Sequence, residues 1–133
     1  MDLRQLNLWA ILAATVSAFV VGGLWYSVLF GKVWMKANGF TDADVPKGNG
    51  KTFAIAFVLT LVMAFNLAMF LNDAKTTTAW GATAGFLAGF GWIAMGIGVV
   101  AVFERKPLSY VLVNGGYMTV ALVLMGAILG AWR

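Results

Sequence analysis

The sequence predicts an all-α protein, a single integral membrane domain over residues 1–133, built as a four-transmembrane-helix bundle with a short interfacial amphipathic helix after the first span. All nine basic and five acidic side chains lie outside four long apolar segments, at residues 6–29, 53–71, 79–103 and 108–132. Each segment approaches or exceeds the ~20 apolar residues that cross a hydrocarbon core of about 30 Å. The segments do not alternate polar with apolar residues, which indicates helices rather than barrel strands.

The first span is followed by residues 30–38, for which we predict an amphipathic helix in the membrane interface. Its apolar face is formed by Phe30, Val33, Trp34 and Ala37, opposite Lys32 and Lys36. Such a helix places aromatic rings among acyl chains and lysines among headgroups. The connections 72–78 and 104–107 are short, so consecutive spans are expected to be antiparallel neighbours.

The third span carries the most regular pattern, a series of glycines at helical spacing. Gly81, Gly85, Gly89 and Gly96 fall within about 80° of one another on a straight helix, with Trp92 on the same face. Small residues permit close approach of helices in lipid. We interpret this face as a packing groove filled by Trp92; the alternative is a narrow pathway or lipid pocket gated by Trp92.

The fourth span repeats the small-residue spacing more weakly, at Gly126 and Gly130. These two glycines are expected either to contact the third span or to form a subunit interface, because both uses need close backbone approach.

Two amides, Asn66 and Asn114, are the conspicuous polar side chains inside the spans. Counted from the lysine-rich side at ~1.5 Å per residue, they lie about 20 Å and about 9 Å deep. This difference argues against their pairing within one subunit, whereas Asn114 is level with Trp25, Tyr26 and Ser27. We interpret both amides as interhelical hydrogen-bonding groups worth ~0.6–2 kcal/mol each. The alternative is a polar step along a solute path.

The composition restricts the available chemistry. The chain has no cysteine and no histidine, which excludes thiol and imidazole catalysis and the usual zinc, haem and iron–sulfur ligand sets. We therefore expect no catalytic residues, no cofactor and no metal site. An enzyme would have to use Asp42, Asp44, Asp73 or Glu104 at the membrane surface.

The net charge of +4 is interpreted as an orientation signal, with the lipid bilayer as partner and no nucleic acid. The first and third loops contain Lys32, Lys36, Lys47, Lys51, Arg105 and Lys106, whereas the other side has Arg4, Lys75 and Arg133. Because cytoplasmic loops are enriched in basic residues, we expect a multi-pass protein of the bacterial inner (plasma) membrane with both termini on the outer side.

The end of the first span reads Gly22-Gly23-Leu24-Trp25-Tyr26-Ser27 and is followed by Phe30-Gly31-Lys32-Val33-Trp34. This W-Y-S then F-G-x-x-W pattern resembles the signature of a family of small four-span bacterial membrane proteins of unknown function. The resemblance implies no reaction and therefore no catalytic role. Physically, Trp25, Tyr26 and Trp34 suit an interfacial anchor, and Gly31 suits the bend into the surface helix.

These observations favour a non-enzymatic membrane protein that acts through helix packing, as a homo-oligomer or as an accessory subunit of a larger membrane complex. The alternative is a small oligomeric channel or facilitator for a neutral or weakly charged solute, lined by Asn66, Thr60 or Ser17.

Overall fold

The computed structural model describes residues 2–133, and this part of the chain contains helices and no strands. The helices are α1 (Leu8–Leu24), α2 (Gly31–Asn38), α3 (Gly50–Phe70), α4 (Thr78–Ala88), α5 (Met95–Phe103) and α6 (Leu108–Ala131). A π-helical segment, Trp25–Leu29, extends α1, and a second, Gly89–Ala94, joins α4 to α5. The four spans are therefore Leu8–Leu29, Gly50–Phe70, Thr78–Phe103 and Leu108–Ala131, each long and apolar enough to cross a membrane. The predicted fold class is confirmed.

Side-chain caps decide where three of the spans begin. The side-chain oxygens of Asn7, Asn49 and Thr77 accept hydrogen bonds from backbone N–H groups of the first turns of α1, α3 and α4. The second span consequently begins at Gly50, three residues before its predicted apolar start, because the Asn49 cap draws the polar residues 50–52 into the helix.

The bundle core lies where the first, second and fourth spans meet. Its buried residues are Ala10, Ile11, Ala14, Ala18, Ala64, Leu67, Ala68, Leu71, Ala121, Leu122, Met125 and Leu129. Half of these side chains are alanines, which let the helix backbones come close. The third span packs against the other side of the fourth. The spatial order of the spans is therefore second, first, fourth, third.

The second and third spans, although joined by a short connection, pack only loosely. They border a cleft of about 450 Å³ that includes Phe70, Trp80 and Trp92. The rings of Phe70 and Trp92 meet edge to face at 6.4 Å between centroids. Consecutive spans are thus close neighbours for the first and second and for the third and fourth, and this expectation fails for the middle pair.

The helix predicted at residues 30–38 forms as α2. It ends at Gly39, whose φ of 70° is the left-handed conformation in which glycine has no Cβ penalty. Ala37 is buried, Trp34 is half-buried, and Lys32 and Lys36 are exposed. The helix packs against the fourth span and the Trp25–Leu29 segment.

The bundle has two chemically different ends. One end holds both chain termini and the connection 72–78. There the Asn7 amide donates to the Trp132 carbonyl (3.4 Å) and the Asn72 amide donates to the Asp2 carbonyl (3.3 Å). Hydrogen bonds from Arg4 lower the pKa of the exposed Asp2 carboxyl. The lysine-rich end comprises residues 30–51 and 104–107.

In the loop that follows α2, the Thr41 hydroxyl and backbone N–H both donate to the Asp44 carboxylate. These hydrogen bonds lower the pKa of Asp44, because they stabilise its charged form. The carboxylate therefore closes a local turn in the lysine-rich loop.

Candidate functional site

Six aromatic side chains gather where the end of the first span, α2, the loop after α2 and the fourth span meet. We call this group the aromatic cluster; its members are Trp25, Tyr26, Phe30, Trp34, Phe40 and Tyr117. Tyr26 is at its centre, with ring centroids 5.9 Å from Trp34 and 5.3 Å from Tyr117, both edge to face. Such pairs add to the energy of burial. Three of the four residues predicted as an interfacial anchor thus belong to one cluster.

The π-helical segment at the end of the first span sets the orientation of the cluster residues that it carries. The Phe30 N–H donates to the Trp25 carbonyl five residues earlier, at 2.8 Å, which is the wide turn of a π-helix. The fourth anchor residue, Gly31, lies against this segment, because a Cβ on it would be 2.8 Å from the Tyr26 carbonyl oxygen. The chain can therefore fold from the span into α2 only with a residue that lacks a side chain there.

Where the first and fourth spans meet, each helix packs an aromatic ring against a glycine of the other. A Cβ on Gly22 would lie 3.1 Å from the Tyr117 hydroxyl oxygen, and one on Gly116 would lie 2.9 Å from Cζ2 of Trp25. Each ring thus occupies the space left by the other helix's glycine. The sequence contains the signal for this contact, a Gly-Gly pair before an aromatic residue in both spans, but the pairing itself was not predicted.

Hydrogen bonds satisfy the polar groups of the cluster. The Tyr26 hydroxyl donates to Oδ1 of Asn114 (2.7 Å), and Nδ2 of Asn114 donates to the Tyr110 carbonyl (3.0 Å). The indole Nε1 of Trp25 donates to the Val113 carbonyl at 2.8 Å. Asn114 therefore makes the hydrogen bond to the Trp25–Ser27 level that its depth suggested, and it acts inside one subunit.

The third and fourth spans touch backbone to backbone along four of the predicted packing glycines. A Cβ on Gly81 would overlap the Gly126 carbonyl, and one on Gly85 would overlap the Leu122 carbonyl. Gly126 in turn lies against the Gly81 carbonyl, and Gly130 against that of Thr77. These contacts are closer than a side chain allows.

Gly89 extends the same contact, because its Cβ would lie 2.8 Å from the Thr119 Cα. The structure does not place Gly96 and Trp92 on this face. A Cβ on Gly96 would meet nothing within 4 Å, and Trp92 is 70% exposed. The cause is the π-helical segment Gly89–Ala94, which contains Trp92 and whose wider turn rotates the residues beyond it, Gly96 among them, by roughly one position, about 100°. Trp92 consequently fills no glycine groove and faces outward beside Phe70.

Asn66 differs from Asn114 in having no partner. It is exposed on the outer face of the second span, and among residues 2–133 its amide makes no hydrogen bond. It lies four residues, or about 6 Å, before the helix end at Phe70. Thr60 and Ser17, the other side chains considered for a solute path, donate to the Ala56 and Ala14 carbonyls of their own helices. Within residues 2–133, none of the three side chains hydrogen-bonds to another.

A groove of about 620 Å³ opens between the first, second and fourth spans in the lysine-rich half of the bundle. It reaches from Phe53 and Ser27 to Met63 and Met125, where the buried core closes it. This groove could not be predicted from the sequence, because no single span encodes the divergence of the second span from the other two.

Within the described residues, no three acidic side chains gather in a way that could hold a metal ion. The four acidic residues considered for surface chemistry lie in separate loops, at 42–44, 73 and 104.

A model of a protein family, described as a protein of unknown function (DUF1761), matches residues 9–130. The chain belongs to the DUF1761 family. The match covers all four spans and includes the aromatic cluster and the third–fourth contact, so both features lie in the part of the chain that is typical of DUF1761. No curated protein and no solved structure matches the chain.

Proposed function

We propose that this DUF1761 protein is a non-catalytic membrane protein that works as a homo-oligomer, with the outer face of the second span as the contact between subunits. The observation that carries the proposal is the unpartnered Asn66 amide. The third-span glycines contact the fourth span inside one subunit, and Asn114 is bonded to Tyr26. Asn66 is left with a donor and an acceptor facing the lipid.

An amide without a partner in hydrocarbon is unfavourable, and asparagine side chains in spans commonly bond across helices. Asn66 belongs to an exposed stripe on the second span with Ile55, Leu59, Val62 and Phe70. The spacing of four, three, four and four residues is that of a helix seam. The stripe therefore offers an apolar contact with one polar group in it.

A second copy of the chain suits this surface best. In a two-fold dimer whose axis is perpendicular to the membrane, equivalent residues lie at the same depth. The Asn66 amides of the two subunits can then donate to and accept from each other. An accessory role in a larger complex needs a partner with its own polar group at this depth, whereas the dimer supplies it by symmetry.

The test is association in vesicles. The chain has no native cysteine, so Ala43→Cys in an exposed loop can carry a donor or an acceptor dye, and energy transfer is followed as the protein is diluted with lipid. Asn66→Leu should weaken association by roughly 3- to 30-fold, which corresponds to the ~0.6–2 kcal/mol of such a hydrogen bond. Asn66→Gln should retain most of it.

The matched control is Asn114→Leu, which removes an amide that is bonded inside the subunit. It should leave the association constant unchanged. Val62→Cys should form a disulfide-linked dimer on oxidation, whereas Val102→Cys, 74% exposed on the third span, should not. A wild-type protein that stays monomeric at every dilution contradicts the proposal. Saturable solute flux that is lost in Asn66→Leu supports the channel instead.

A further inference from the structure

The groove between the first, second and fourth spans has the length of one membrane leaflet. From Phe53 to Met63 the second span lines it over eleven residues, a rise of about 15 Å along the helix. Half of a hydrocarbon core of about 30 Å is the same length. Along the first span the groove runs from Ser27, at the lysine-rich end, to the buried Ala18, which lies at the midpoint of Leu8–Leu29.

No hydroxyl in the wall of this groove has a free hydrogen-bond donor. Its hydroxyls belong to Tyr26, Ser27, Thr60 and Tyr117. All four already donate within the protein: Tyr26 to Asn114, and the others to the carbonyls of Gly23, Ala56 and Ala18, respectively. The remaining lining is glycine, alanine, leucine, methionine and phenylalanine. A polar solute would lose hydration there and find no free hydroxyl donor in return, whereas a hydrocarbon chain has no hydrogen bonds to lose.

The charges at the open end favour an anionic headgroup. The lysine-rich end contains six basic and three acidic side chains, the acidic ones being Asp42, Asp44 and Glu104. Lys51 lies in the first turn of the second span, two residues before the groove residue Phe53. Basic side chains next to the membrane attract anionic lipids.

We propose that the groove is a lipid site that holds one acyl chain of an anionic phospholipid of the leaflet at the lysine-rich end, with its headgroup among the basic side chains of that end. The groove borders the proposed subunit contact at Leu59, whereas Asn66 lies outside the groove, so variants of Asn66 test the two proposals separately.

Two glycines allow a matched test, because a Cβ on either Gly23 or Gly96 would meet nothing within 4 Å. Gly23 lines the groove and Gly96 does not. The purified protein in detergent is titrated with phosphatidylglycerol or with phosphatidylcholine of identical chains, and bound lipid is counted by native mass spectrometry.

Wild type and Gly96→Phe should retain one phosphatidylglycerol per chain, and Gly23→Phe should retain it at least 10-fold more weakly. Ala56→Phe fills the groove from the second span and should reproduce the loss, so the test does not depend on the folding of one variant. Lys51→Gln should reduce the preference for phosphatidylglycerol over phosphatidylcholine. Asn66→Leu should bind lipid as wild type does, which separates this site from the oligomer contact.

Equal lipid retention in Gly23→Phe, Ala56→Phe and wild type would overturn the proposal, as would a wild type that binds several lipids with no saturable first one. Retention of a free fatty acid in preference to the phospholipid would also contradict it, because the headgroup would then make no contribution.

Discussion

Gly22 of the first span and Tyr117 of the fourth span fit together so closely that a single methyl group separates a relaxed contact from a strained one. A Cβ on Gly22 would lie 3.1 Å from the Tyr117 hydroxyl oxygen and 3.3 Å from its ring carbons. That hydroxyl cannot withdraw freely, because it donates to the Ala18 carbonyl at 2.9 Å. One turn of the first span, from Ala18 to Gly22, thus holds the Tyr117 side chain at two points.

We predict that Gly22→Ala lowers the free energy of unfolding by about 1–2 kcal/mol, the usual cost of inserting a methyl group into a tight contact. The neighbouring Gly23→Ala places its methyl in open space and should be neutral or stabilising by up to about 1 kcal/mol. The measurement is unfolding of both variants in mixed micelles with increasing denaturing detergent. Equal stability of the two variants would contradict the ring contact.

Gly85→Leu should disrupt the third–fourth contact, since the new side chain would overlap the Leu122 carbonyl. We expect a loss of ~3 kcal/mol, at the upper end of overpacking costs, because a backbone cannot rotate away as a side chain can. Gly96→Leu, on the same span but in open space, should keep wild-type stability and folded yield. If both leucines are tolerated equally, the two helices are not in contact at Gly85.

Tyr26→Phe should remove the hydrogen bond to Asn114 and reduce stability by ~0.5–1.5 kcal/mol. Tyr110→Phe is the control, because the Tyr110 side chain makes no hydrogen bond within residues 2–133. A double-mutant cycle of Tyr26→Phe with Asn114→Leu isolates the pair. Additive losses in that cycle would show that the two side chains act independently.

Orientation is testable because the chain has no native cysteine. Ala43→Cys and Ala74→Cys are both exposed, and they spare the Asn49 and Thr77 helix caps. An impermeant thiol reagent applied to intact cells should label position 74 and not position 43, as the distribution of basic residues requires. The reverse pattern would invert the topology, and labelling of both positions would indicate two orientations.

The four spans could be predicted from the sequence because lipid imposes one simple rule, that a crossing helix must be long and apolar. The site was harder to predict because it depends on departures from the regular helix. The straight-helix wheel grouped Gly81, Gly85 and Gly89, which do share a face in the structure. It failed for Trp92 and Gly96, since no residue pattern in the sequence indicates the wide turn at Gly89–Ala94.

Depth arguments gave a correct partner level for Asn114 because helix rise is constant. They could not show that Asn66 faces outward, since that depends on which face of the second span packs against the neighbouring spans. The groove was missed for the same reason, as it arises from the angle between spans rather than from any one of them.

The spatial order of the spans also determines when their contacts can form during synthesis. Tyr117 bonds Ala18 across 99 residues of sequence, and Trp25 bonds Val113 across 88. At ribosomal speeds of about 5–20 residues per second, the first span spends roughly 5–20 s in the bilayer before its principal neighbour is synthesised. During that interval its indole and phenol donors lack their final acceptors. The first hairpin therefore waits with these donors unpaired until the fourth span is made, and two copies synthesised side by side can exchange fourth spans when those spans insert.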